Sequence, residues 1–386
     1  MNDIDELKQF IVVHAKAQQM APERYEPLLK RIQDDGEGTP GSWVFEWSRE
    51  GELLDRDGRL LEACRYYNIA RFPFVNGPAR QEALERCTDA FDRWRLTQPG
   101  VDRLDVKLPE GQIRCWTTGL AAADQPAGSR APLLLVLGGI VSIKEQWAPI
   151  LIQASRLGVA GVVAEMPGVG ENTLPYDESS PAMISAILDA VGDRADVAHT
   201  YAVALSFSGH LALRAALSDS RIRGVITAGA PISDFFTDQA WQRCLPRVTV
   251  DTLAHLIGVS PRDVGGHVRG WALTPEELQS LEVPVACLAS RRDEIIPPGD
   301  PALLQRFVPR IDLVDNDDVH GSPDHVLEAR VWVLLSLMRM RKVRNVQRVV
   351  LSSLWRVLRL RGRLHQLSHR TQQAASHPGT TRSHEG

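Results

Sequence analysis

The run Thr200 to Leu217 restricts the fold more than any other stretch. Thr200-Tyr201-Ala202-Val203-Ala204-Leu205 has the small and β-branched apolar residues of a short buried strand. Leu211, Ala212, Leu213, Ala215, Ala216 and Leu217 then recur at helical spacing. Between the two halves lies Ser206, with the small residues Ala204 and Ser208 two positions away on either side. A strand that turns sharply into a helix needs such neighbours, and it exposes the serine hydroxyl at the strand's C-terminal end. The usual form of this nucleophile elbow is G-x-S-x-G, and here both glycines are replaced. A buried strand–turn–helix with a serine in its turn is the plain alternative, and this stretch alone leaves both open.

The surrounding pattern repeats the same alternation. Leu133–Leu137, Val159–Ala164, Gly224–Ala228, Val283–Ala289 and Ile311–Val314 are short apolar strands separated by helix-like segments. That order predicts a doubly wound, mostly parallel α/β sheet, whose reactive groups belong at the C-terminal strand ends. Val101–Val106 and Ile113–Thr117 alternate apolar and polar residues around Pro109-Glu110-Gly111, which predicts a hairpin. Residues 1–100 read as a helical cap, clearest where Leu61, Cys64, Tyr67 and Ala70, then Leu84, Cys87, Phe91 and Trp94, recur on one face. Residues 101–338 read as the sheet domain, with 231–281 as a small lid. Residues 339–386 read as a basic amphipathic helix and, from about Ser368, a disordered tail.

A serine nucleophile needs a base, and the base needs an orienting acid. Asp293 follows the strand Val283–Ala289, and His320 lies in the loop after Ile311–Val314. Serine, acid and histidine then occur in the chain order used by the α/β hydrolases. Ser208 is a rival serine, but then His210 would crowd it. Glu294 and Asp300 are rival acids to which surface roles are assigned. His325 opens a helix, where a solvated or capping role is ordinary. Backbone donors for a developing oxyanion are expected from Phe207 and from Gly139-Ile140, because glycine lets the backbone approach closely. Trp94, Phe235, Phe236 and Trp241 are assigned to the walls of a site for a partly apolar small molecule.

The motif Gly138-Gly139-Ile140-Val141-Ser142-Ile143-Lys144-Glu145 resembles the GG-x-x-S-x-K-E loop of the FrsA-like α/β hydrolases. That group includes dihydropseudooxynicotine hydrolase. Pro167-Gly168-Val169-Gly170-Glu171 is similar to its P-G-x-G-E turn, and Tyr66–Phe72 with Ala83–Trp94 to its helical cap. The resemblance spans about residues 40–338. It implies Ser206, Asp293 and His320 as the triad, Gly139-Ile140 as the oxyanion loop, and cleavage of esters or of carbon–carbon bonds beside a ketone without cofactor or metal. Departures are Ala204 and Ser208 in the elbow, Val141 where an acid is common, and Glu165 where aspartate is frequent. A non-catalytic homologue serving as a pathway accessory or scaffold, and a lyase or cyclase using the same pocket, are the alternatives.

Charge is uneven along the chain. From Arg339 onward there are eleven Lys/Arg and one acid, Glu385, within a chain whose net charge is −4. The remainder is acidic, which argues against nucleic acid as a partner. The segment 339–370 could meet an anionic membrane surface or a protein partner, or pack on the protein's own acidic surface. A homodimer is also left open. Five scattered cysteines suggest neither a disulfide framework nor a zinc site. The acidic start lacks a secretory signal's apolar core, so a cytoplasmic location is expected.

Overall fold

The continuous apolar runs become the inner strands of the sheet, as two-sided burial requires. The computed structural model describes residues 2–375 apart from 19, 37, 123 and 124, and it gives no side-chain detail at 17, 127, 155 or 362–375. Its strands are β1 (Val101–Leu108), β2 (Gly111–Thr118), β3 (Pro132–Leu137), β4 (Ala160–Ala164), β5 (Asp196–Leu205), β6 (Ile222–Ala228), β7 (Val285–Ser290) and β8 (Ile311–Asn316). They form one sheet in the order β1-β2-β4-β3-β5-β6-β7-β8. β1 and β2 are the expected antiparallel hairpin, and β3 to β8 run parallel. Strand order reverses direction around β3 and β5, so a crevice opens at their C-terminal ends.

Before the sheet come α1 (Ile4–Ala17), α2 (Pro22–Arg31), α3 (Trp43–Arg56), α4 (Leu60–Ala70) and α5 (Pro78–Arg95). α4 and α5 form the helical hairpin broken at Asn76-Gly77-Pro78. Their shared face buries Cys64, Tyr67, Leu84, Cys87 and Phe91. Trp43 and Trp47 of α3 are fully buried beneath them, and the Trp43 indole donates to the Ile69 carbonyl at 2.9 Å. Burying rings of this size supplies much of the cap's stability.

Between the strands lie α6 (Lys144–Trp147), α7 (Leu151–Ala154), α8 (Ala182–Val191) and α9 (Phe207–Ser218). The lid excursion after β6 holds α10 (Asp234–Thr237), α11 (Gln239–Gln242), α12 (Arg247–Ile257), α13 (Val264–Val268) and α14 (Pro275–Gln279), and α15 (Gly299–Phe307) follows β7.

The chain divides into two compact units, and the second begins at His325. The expected boundary at 339 is therefore not where the chain parts. α16 (Val326–Met340), expected to close the sheet domain, lies in the second unit with α17 (Val346–Ala375), on which it packs. α17 leaves Val346, Val349, Val350, Leu354, Val357 and Leu360 exposed as one stripe. It continues past Ser368, where composition reads as disordered, because Arg, Leu, Gln and Ala are good helix formers. Residues 376–386 of the expected tail lie outside the described residues. Among the described residues, no helix is long and apolar enough to cross a membrane.

Candidate active site

Ser206 joins β5 to α9 with φ 57° and ψ −130°, a conformation rare for a residue with a side chain. Its own N–H donates to the Ala228 carbonyl at 2.7 Å, and its carbonyl accepts from Gly209 at 2.8 Å. The turn closes because the neighbours are small. A Cβ on Gly209 would lie 2.1 Å from the Thr227 hydroxyl. Ser208 fits where glycine is usual because its buried hydroxyl reaches the carbonyls of Leu205, at 2.9 Å, and Leu137, at 3.1 Å. His210, the residue that would crowd a rival serine, is buried with its Nε2–H donating to the Trp271 carbonyl at 2.8 Å. Burial holds its pKa down to about 3.

β8 is three strands from β5, roughly 14 Å at the usual spacing, so His320 must reach back across the sheet. It does so over Gly229, where a Cβ would come within 2.7 Å of His320 Cε1. The imidazole Nε2 is 3.1 Å from Ser206 Oγ. Its Nδ1 is 3.0 Å from each oxygen of Asp293. With Nδ1–H donating to Asp293, Nε2 is the acceptor for the serine hydroxyl. Asp293 is aimed by two further donors, the N–H groups of Ile295 at 3.0 Å and Ile296 at 2.8 Å. Burial tends to lower the pKa of His320, but Asp293 and then Glu294 raise it, and the net direction is up.

Gly139 faces the serine. A Cβ there would lie 3.0 Å from Ser206 Cβ and 3.5 Å from Oγ. The turn is closed by Ser142 N–H donating to the Gly139 carbonyl at 3.0 Å. Ile140 is buried within this turn, and Phe207 is the first residue of α9, where a backbone N–H has no partner within the helix. The loop rests on a charged hub. Lys144 Nζ is 2.8 Å from Glu145, 3.5 Å from Glu165 and 2.7 Å from Glu171. Glu165 accepts the N–H groups of Lys144 and Glu171, and Glu145 accepts from the Trp116 indole at 2.8 Å. Burial pushes the Glu165 carboxyl up to about 7 despite Lys144. The two quoted motifs thus meet in one ion cluster that ties the Gly139 turn to β4.

The aromatic residues divide. Phe235 packs edge-on against Phe207 with ring centroids 5.0 Å apart, and Phe236 lies between His210 and Trp271; both are about 1% exposed and belong to the core. Trp241 is half-buried and donates to the Ile295 carbonyl at 2.9 Å, beside Asp293. Trp94 is not brought to this group. It packs on Phe91, whose other neighbour Trp116 sits on β2, three strands from β5.

Both acids assigned to the surface have other places. Asp300 is fully buried and accepts four backbone N–H groups, from Ile232, Ser233, Asp234 and Phe235, which fixes the loop that leaves Gly229. Burial pushes its carboxyl up to about 6 against those donors. Glu294 is half-buried and accepts the His320 N–H at 3.0 Å. Their spacing to Asp293 is visible in the sequence; their partners, up to 68 residues away, are not. Among the described residues, no three His, Cys, Asp or Glu side chains converge as a metal site would.

The Esterase FrsA-like family matches residues 32–304, well over half of the chain. The chain belongs to this family. Esterase FrsA of Vibrio cholerae is 26% identical over 290 residues, covering 69% of each chain. The solved structure of AbyA5 is 51% identical and covers 92% of this chain and 100% of its own, with a TM-score of 0.88. That of 2,6-dihydroxy-pseudo-oxynicotine hydrolase shares the fold at 18% identity, with a TM-score of 0.61 over 76% of this chain and 88% of its own. The protein is an α/β-hydrolase enzyme. The FrsA-like match includes Ser206 and Asp293; His320 lies beyond its end and α1 before its start.

Proposed function

We propose that the protein is a cofactor-independent serine hydrolase acting on an ester-type bond. His320 Nε2 takes the proton of Ser206 as Oγ attacks the carbonyl carbon. Asp293 holds Nδ1–H and stabilises the imidazolium. The oxyanion accepts from the Phe207 N–H and from the Gly139-Ile140 turn. The tetrahedral intermediate collapses, His320 returns the proton to the leaving alcohol, and water attacks the acyl-enzyme by the same route. The observation carrying this reading is Ser206 in a positive-φ elbow, hydrogen-bonded in series to His320 and Asp293.

The test is turnover of simple aryl and alkyl esters in H₂¹⁸O, with a 1,3-diketone run alongside for the carbon–carbon variant. The reading predicts alcohol release and one ¹⁸O atom in the free acid, both lost in Ser206→Ala. An unsaturated product with no ¹⁸O in the released acid would mean a lyase. No turnover of any compound would favour the non-catalytic homologue.

A further inference from the structure

The helix α1 lies before the stretch matched to the family, yet it is tied to both sides of the site. At one end the Glu6 carboxylate accepts the N–H groups of Arg247 and Val248, each at 2.7 Å, at the first turn of lid helix α12. At the other, Lys16 pairs with Asp324 at 2.7 Å, four residues past His320. Between them Val13 Cγ1 comes within 3.9 Å of a Cβ placed on Gly321, beside His320. The next residue, His14, has a half-buried ring 5.0 Å from that of Phe72. Burial holds its pKa down to about 3, and the positive charges of Arg71 and His320 act in the same direction.

Arg71 is the second observation. The buried cations Arg80 and Lys144 each have a carboxylate in contact, Asp35 for Arg80 and three glutamates for Lys144. Arg71 is 2% exposed, and its guanidinium donates only to neutral oxygens: the Asn68 amide and the carbonyls of Pro73 and Val141. Among the described residues no carboxylate lies within ion-pair reach of it. Glu165 and Glu145 act on it only from beyond contact, and a buried cation with no carboxylate against it is costly unless something anionic is to meet it. Val141 belongs to the turn that faces Ser206, so the Arg71 guanidinium lies behind that turn, and the charges of both Arg71 and His320 reach His14.

We propose that His14 and Arg71 form a subsite for an anionic oxygen of the substrate, a carboxylate or an enolate, next to the carbonyl that Ser206 attacks. An anion there reverses the repulsion that His14 now feels and gives Arg71 the contacting counter-charge that Glu165 and Glu145 do not supply. Substrate choice would then depend on α1, a helix outside the matched family stretch. The proposal rests on the ester-hydrolase reading for the attacked carbonyl, but not for the anion's binding.

The full chain should be assayed with the mono-p-nitrophenyl esters of succinate, glutarate and adipate, each against its primary-amide counterpart. A charge-assisted contact predicts kcat/KM about tenfold or more higher for at least one acid than for its amide. In His14→Gln and Arg71→Lys that ratio falls toward one. If Arg71 only braces the Val141 turn, both compounds slow together and the ratio stays. His14→Gln, at a half-buried helical position, keeps the test open should Arg71→Lys fail to fold. A wild-type ratio near one for all three pairs, or a ratio unchanged in His14→Gln, overturns the proposal. If wild type turns over neither compound of any pair, the hydrolase reading fails instead. The subsite is then judged by histidine NMR of Ser206→Ala titrated with the three free diacids. Saturable shifts of the His14 ring resonances support it, and unmoved resonances overturn it.

Discussion

The strand-end rim and the α1 cover both approach His320, but they are held in different ways. On the rim, backbone groups do the positioning. Ser206 N–H bonds the Ala228 carbonyl, Asp293 accepts from Ile295 and Ile296, and Asp300 gathers four N–H groups of the loop after β6. Over the cover, side chains do it: Glu6 on α12, Lys16 on Asp324, and Gln18 on Asn68 at 3.2 Å. Backbone bonds preorganise a reaction geometry that few substitutions can move. Side-chain ties are individually weak, so a cover built from them can change without loss of the chemistry beneath.

Changes on the rim should therefore cost far more than changes in the cover. Ser206→Ala should lower kcat by about 10⁵-fold or more while leaving the fold intact, as steady-state rates and circular dichroism would report. Asp293→Asn should cost about 10⁴-fold. It also tests the histidine. A base must be neutral to act, so activity rises with pH through the pKa of His320. Asp293 raises that pKa, and its removal should move the acid limb of the kcat/KM profile to lower pH. Gly139→Ala places a methyl against Ser206 and should cost about 10²-fold in kcat with little change in unfolding midpoint.

The next tests act on stability. Asp300→Asn turns an amide NH₂ toward backbone donors that now meet a carboxylate, and should lower unfolding free energy by about 3 kcal/mol in a urea titration. In the cover, Lys16→Ala removes a pair whose side chains are 40% and 64% exposed, and should shift stability by about 0.5 kcal/mol or less. A loss from Lys16→Ala as large as that from Asp300→Asn would erase the contrast.

Legibility followed the same division. Ser206, Asp293 and His320 could be read because each follows an apolar strand, and a parallel sheet puts strand ends on one rim. Asp300 was expected at the surface because an isolated aspartate usually sits there. Its four partners lie 65 to 68 residues back and become neighbours only once β6 and β7 pair. Gly229 gives no sequence signal, since its need for a bare Cα arises from a histidine brought from β8. Trp94 shares a helical face with Cys87 and Phe91, but periodicity cannot say which strand that face meets, and it meets β2. The helicity near the start of the chain could be read; the placement of α1 against the His320 loop could not, because it depends on ties from both ends of α1.

The central claim is an activated serine at position 206. It is tested most directly by treating the folded protein with a fluorophosphonate and mapping the adduct by mass spectrometry. The account predicts one adduct, on the Ser206 peptide, lost in Ser206→Ala and sharply reduced in His320→Ala. A folded wild-type protein with no adduct at Ser206, or one that labels equally well without His320, would contradict it.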